Sequence, residues 1–160
     1  MAEGREGFAV VVYREDAGWE AGMLPDALVQ DLDGLVAAVR QQPGTAIAFV
    51  DVADEFLVAV RVRPDGEACL LLSDGSAAGD WDLAARVLDR IDPDGAPPEE
   101  VAPIGDLDLF GDLGLDSGDL MQILGDLDAY ADEMLASIAK RLGFAAALDR
   151  ALDAAGHWAT

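Results

Sequence analysis

Imidazole and thiol are almost missing from this chain of 160 residues, which has one histidine, His157, and one cysteine, Cys69. A lone cysteine builds neither a disulfide framework nor a cysteine-based zinc site within the chain. A single histidine three residues from the end cannot assemble a Ser-His-Asp or Cys-His nucleophile in a folded region. The ligand pattern of zinc deaminases, His-x-Glu followed by Pro-Cys-x-x-Cys, is absent. Positive charge is scarce as well: 10 basic side chains stand against 32 acidic ones, a formal charge of −22. Such a chain releases no counterions from a phosphate backbone and is not drawn to anionic lipid, so direct binding to nucleic acid or a membrane surface is not expected. It steers a basic partner toward itself instead. No apolar run is long enough to span a bilayer, and the polar start, Met1–Gly7, is followed by too short an apolar stretch for a secretory signal. A cytoplasmic location is the expectation.

What is present is a core. Hydrophobic residues make up 52% of the chain, which separates it from disordered acidic sequences. Phe8–Tyr13, Trp19–Leu24, Ala46–Asp51, Phe56–Arg63 and Ala68–Ser73 read as five strands, rich in β-branched and aromatic residues and separated by turn chemistry such as Pro64-Asp65-Gly66. Arg61 and Arg63 are placed on outward positions of the fourth strand. Leu28, Leu32, Leu35, Val36 and Val39 share one helical face ending at Pro43-Gly44; Trp81, Ala84, Val87, Leu88 and Ile91 share another, capped by Asp80. The fold class is α+β: a five-stranded, mostly antiparallel sheet in the order β-β-α-β-β-β-α, with both helices on one face. That order is like the one in roadblock, longin and profilin sandwiches, an analogy that carries no function.

Residues 1–91 form this sheet domain, and residues 92–104, with four prolines, read as a linker. Residues 105–160 are a helical region of about three helices. Its stripes are Leu120, Ile123, Leu124 and Leu127; then Met134, Leu135, Ile138, Ala139 and Leu142, stopped by Gly143; then Phe144, Leu148, Ala151, Leu152 and Ala155. So small a bundle is marginal alone and is expected to dock on the first domain or on a partner. It is also the more acidic part, with net charge −12 against −10 for residues 1–91.

No motif carries chemistry on its own. An EF-hand alignment from Asp106 puts Phe110 and Ser117 where oxygen ligands are needed. Leu113–Ser117 is like a carrier-protein attachment site, but Gly118 stands where leucine belongs, and Ser117 reads more simply as a helix N-cap. Trp19, Trp81 and Tyr130 are candidate interface anchors, with core packing the commoner role. The acid clusters offer Asp51, Asp54, Glu55, Asp128, Asp132 and Glu133 as residues of a protein-binding surface. Carboxylate- or metal-dependent catalysis is the competing class, and a deep pocket with converging perturbed acids would favour it. A homodimer joined through sheet edges or helix faces is a third.

Several stretches together resemble an actinobacterial family, the tRNA adenosine deaminase-associated proteins. They are Phe8–Glu15, Trp19–Leu24 with Leu32-Asp33-Gly34, Arg40–Gly44, Val50–Val62, Leu70–Asp74, Trp81–Arg90, Gly105–Leu115, Asp132–Leu135 and Ile138–Phe144. Ala131 and Ser117 depart from the residues such sequences carry, proline and an acid, so the serine is no family feature. The resemblance implies association with a tRNA adenosine deaminase as partner, without deaminase activity, a cofactor or a catalytic residue.

Overall fold

The computed structural model describes residues 7–16, 18–42, 44–96, 98–126 and 128–154. Among the described residues six strands form one sheet: β1 (Gly7–Glu15), β2 (Gly18–Met23), β3 (Ala46–Val52), β4 (Phe56–Val62), β5 (Ala68–Leu72) and β6 (Ile104–Gly105). The order across the sheet is β2-β1-β3-β4-β5-β6 and every pairing is antiparallel. The sixth strand corrects the five read from sequence. It lies at the end of the Pro-rich segment, is two residues long, and pairs Ile104 with Leu72 and Gly105 with Leu71. A strand that short has no periodicity to read.

The helices are α1 (Leu32–Arg40), α2 (Asp82–Ile91), α3 (Ser117–Leu124), α4 (Ala131–Leu142) and α5 (Ala145–Ala154). Short 3-10 turns at Asp26–Gln30, Gly75–Gly79 and Gly111–Leu113 were not foreseen. They shift three boundaries. Leu28 belongs to the first 3-10 turn, and α1 begins after Asp31, whose carboxylate accepts from Gly34 N–H. Asp80 does not cap α2: Trp81 holds that position without a side-chain bond, and Asp74 caps the 3-10 turn before it. Asp116, not Ser117, caps α3, accepting from Asp119 N–H. At the end of α4, Gly143 adopts φ of 100°, the left-handed stop expected of a glycine there. Phe144 is buried just ahead of α5. Pro43, Leu127, Ala155 and His157 lie outside the described residues.

Alternate residues of the strands face two separate cores. Ala9, Val11, Ala48, Val50, Phe56, Val58 and Val60 point to the layer that holds both α1 and α2. Phe8, Val10, Val12, Ile47, Phe49, Leu57 and Ala59 point the other way, against Phe110, Leu120, Leu135, Ile138, Phe144, Leu148 and Leu152. The helices after residue 105 therefore cover the second face of the sheet. All seven residues of β3 are buried, as a strand covered on both faces requires. Phe49 sits at the centre of that second core, its ring 5.9 Å from Phe110 and 5.6 Å from Phe144. Trp19 on β2 closes the edge, donating from Nε1 to the Leu142 carbonyl at 3.1 Å and packing 5.6 Å from Phe144.

Candidate interaction surface

The turn joining β3 to β4 is strained. Ala53 and Asp54 have φ of 53° and 61°, and Glu55 N–H donates to the Val52 carbonyl at 2.8 Å. Two consecutive left-handed residues make a type I′ hairpin, which favours Asn and Gly. A non-glycine residue in that region costs about 1–2 kcal/mol, less for an aspartate. Neighbouring contacts hold the turn in place. Asp54 N–H donates to Asp51 Oδ1 at 2.8 Å. Asp54 Oδ1 in turn accepts from Asp132 N–H at 3.0 Å, and the Asp54 carbonyl from Ala131 N–H at 3.4 Å. Asp132 and Ala131 open α4, where backbone N–H groups have no partner within the helix. The hairpin thus serves as the cap of a helix 78 residues away in sequence. Glu133 completes the helix start, its Oε1 accepting from Tyr130 N–H at 2.8 Å.

Burial and crowding at this junction raise the pKa of Asp51 and Asp132. Asp51 is only 3% exposed, and burial pushes its carboxyl up to about 7, with Asp54 and Asp132 acting in the same direction and the Asp54 N–H opposing. Burial, then Asp54, also raises Asp132. Of the six acids singled out in the sequence, Asp51, Asp54 and Asp132 meet here. Asp51 lies inside, so any part it has in a contact is indirect. Glu55, Asp128 and Glu133 are exposed.

Beside this junction runs a groove of about 380 Å³ between α3 and α4. Ile123, Ala129 and Met134 give it apolar lining; Asp119, Asp126 and Glu133 stand among them. Asp119 is tied to Arg141 at 2.6 Å. Tyr130, 63% exposed, and Met121 are among the few exposed large apolar side chains. Between Arg90 and Lys140 the chain has no basic residue and 13 acids. Sequence reasoning missed the groove because it depends on how α3 and α4 lie together. The base-free run was legible.

Residues 7–145 match the family described as Rv3753c-like tRNA adenosine deaminase-associated protein. The chain belongs to this family. It is similar to protein Rv3753c of Mycobacterium tuberculosis, with 39% identity over 162 residues that cover 98% of this chain and 93% of that protein. No solved structure matches it.

The two acids with raised pKa, Asp51 and Asp132, line none of the described clefts. Nor does Asp54 line any of the three, at the α3–α4 groove, between α1 and α2, or at the far end of the sheet. Among the described residues no group of three or more His, Cys, Asp or Glu side chains is placed to hold a metal ion. No described helix is long and apolar enough to cross a membrane. Trp81 packs edge-on to Phe56 at 5.9 Å, so it and Trp19 take packing roles, whereas Tyr130 is left outside. Ser117 is the first residue of α3 and is exposed.

Proposed function

We propose that this chain is a non-catalytic cytoplasmic binding protein. It docks on a basic face of a tRNA adenosine deaminase through the α3–α4 groove and the adjoining hairpin. One observation carries the reading: 13 acids without a single base between Arg90 and Lys140, several of them around a groove that Ile123, Ala129 and Met134 also line, in a family described by its association with that enzyme. Acidic rims steer a basic partner and set its orientation; an apolar centre supplies affinity. Tyr130 and Met121 are the anchors this surface offers. Glu55, Asp128 and Glu133 make the charged contacts, while Asp51, Asp54 and Asp132 fix the shape of the hairpin against α4.

The competing reading, a carboxylate enzyme, draws support from the raised pKa of Asp51 and Asp132. Their position in a packed hairpin–helix junction, away from every described cleft, favours a structural part instead. The deciding experiment is titration calorimetry of the purified deaminase with this chain at low and high salt. A complex should form at low salt and weaken by roughly tenfold or more as salt is raised. Reversing Asp128 and Glu133 together to lysine should weaken it by a similar factor. No complex at low salt, or one indifferent to the reversal, overturns the proposal.

A further inference from the structure

The opposite end of the sheet has a different character. Four of the ten basic residues gather there. Arg14 stands one residue before the end of β1 and lies 5.0 Å over the Trp19 ring, Arg40 ends α1, and Arg61 and Arg63 lie where β4 runs into its turn. A groove of about 950 Å³ crosses this end, lined by Arg40, Arg61 and Arg63 with Gln42, Thr45 and the apolar Val62 among others. Its size suits a small organic molecule. The lining sets three guanidinium groups against two carboxylates, Asp108 and Asp112, in a chain whose net charge is −22.

The arginines are not equivalent. Arg61 holds Asp112 through both terminal nitrogens, at 2.7 and 2.9 Å, and donates to the Leu109 carbonyl at 2.8 Å. Arg63 donates to Asp106 Oδ2 at 2.6 Å and to Cys69 Sγ at 2.8 Å. These bonds fasten the loop leading to α3 onto the sheet. Arg40 has no such partner: its Nη2 donates to the Gly66 carbonyl at 2.8 Å, and no carboxylate among the described residues pairs with it. A guanidinium carries five N–H donors in a planar fork that fits carboxylate and phosphate oxygens. In a chain where acids outnumber bases threefold, an exposed cleft arginine with no acid beside it is open to an anion from solution.

We propose that this groove binds a small molecule carrying one anionic group, a carboxylate or a phosphate monoester, on an apolar body. Arg40 takes the anion, with Gln42 and Thr45 on the same lining, and Val62 and Pro64 face the apolar part. A ligand with several anionic groups is the wrong one: the acidic surface repels it over a Debye length, and Asp108 and Asp112 oppose a second anionic group in the groove. The site is at the other end of the sheet from the proposed docking surface, so either can fail without the other.

The test uses the whole chain with phenyl phosphate and benzoate as separate probes, against sodium chloride at matched ionic strength. Backbone amide shifts are followed by NMR. Saturable shifts at Gln42, Thr45 and Gly66 are expected with at least one probe, and which probe saturates names the anion. Arg40→Gln, an exposed change, should weaken binding fivefold or more. Arg86→Gln, on the α2 layer, should leave it unchanged. No saturable shift with either probe, a loss under fivefold in Arg40→Gln, or an equal loss in Arg86→Gln overturns the proposal.

Discussion

Replacing Asp51 with asparagine isolates the energetics of the hairpin–helix junction. The carboxyl stands near 7 in the fold against 3.8 for an ordinary aspartate. The folded chain therefore binds this proton more tightly than the unfolded one. The stability it confers is complete below about pH 4 and is lost as pH rises through about 7. At about 1.4 kcal/mol per pH unit, ionising Asp51 in place costs the fold roughly 4 kcal/mol above pH 8. Asparagine keeps the Oδ1 acceptor for Asp54 N–H and carries no charge to bury. Between about pH 5 and about pH 8 the variant should therefore gain about 3 kcal/mol relative to the parent. Urea unfolding of both proteins across that range measures it. General repulsion among the many surface acids acts on both chains and cancels in the difference. Asp132, raised by burial and then by Asp54, is present in both chains and drops out of the difference likewise. A difference that changes by less than about 1 kcal/mol over the range would refute the reasoning, because a solvated Asp51 would already be ionised in both states.

Three further outcomes are expected. Phe110→Ala removes a fully buried ring from beside Phe49 and should cost about 3–5 kcal/mol in urea unfolding. Ala53→Asn suits the left-handed φ of 53° better than alanine does and should stabilise by about 0.5–1 kcal/mol, seen as a higher urea midpoint with unchanged slope. A chain truncated after Gly105 exposes Phe8, Val10, Val12, Ile47, Phe49 and Leu57 on one sheet face. It should aggregate, as light scattering would show; a soluble monomer with cooperative unfolding would refute the dependence of the sheet on its second helical layer.

The strands and the amphipathic helices were legible because each repeats a periodic signal several times. The covering of both sheet faces was only half legible, since the later helices were left to dock on the sheet or on a partner. Residues 8–12, 46–50 and 56–60 are apolar at odd and even positions alike, so neither face of the sheet can be left to water. A partner could have covered the second face as well, and only the packed fold shows the later helices there. Strand β6 was not legible, because two residues specify no period and its pairing depends on the route of the Pro-rich segment back to β5. The junction at Asp51 was half legible. The acids were visible as a cluster, but the bond from Asp54 to Asp132 spans 78 positions and only the packed fold creates it. The arginine groove was least legible, since Arg40 comes from a helix, Arg61 from a strand and Arg63 from the turn that follows it.

Charge in this molecule is arranged by layer. On the first helical layer acids are balanced locally: Asp82 pairs with Arg86 one turn on at 3.0 Å, and Asp33 of α1 pairs with Arg90 of α2 at 3.2 Å. On the second layer the inward positions Leu120, Leu124, Leu135, Ile138 and Leu142 pack as tightly, but bases enter α4 only in its last turn, Lys140 and Arg141. The difference lies in the connection between α3 and α4. Asp119 of α3 is answered by Arg141 at 2.6 Å, and Asp132 and Glu133 stand in the first turn of α4, where the helix dipole favours acids. Asp126 and Asp128, on the turn between the two helices, are paired with no base among the described residues. A basic partner gains most from acids that have no base of their own, which is the physical reason to reverse Asp128 first.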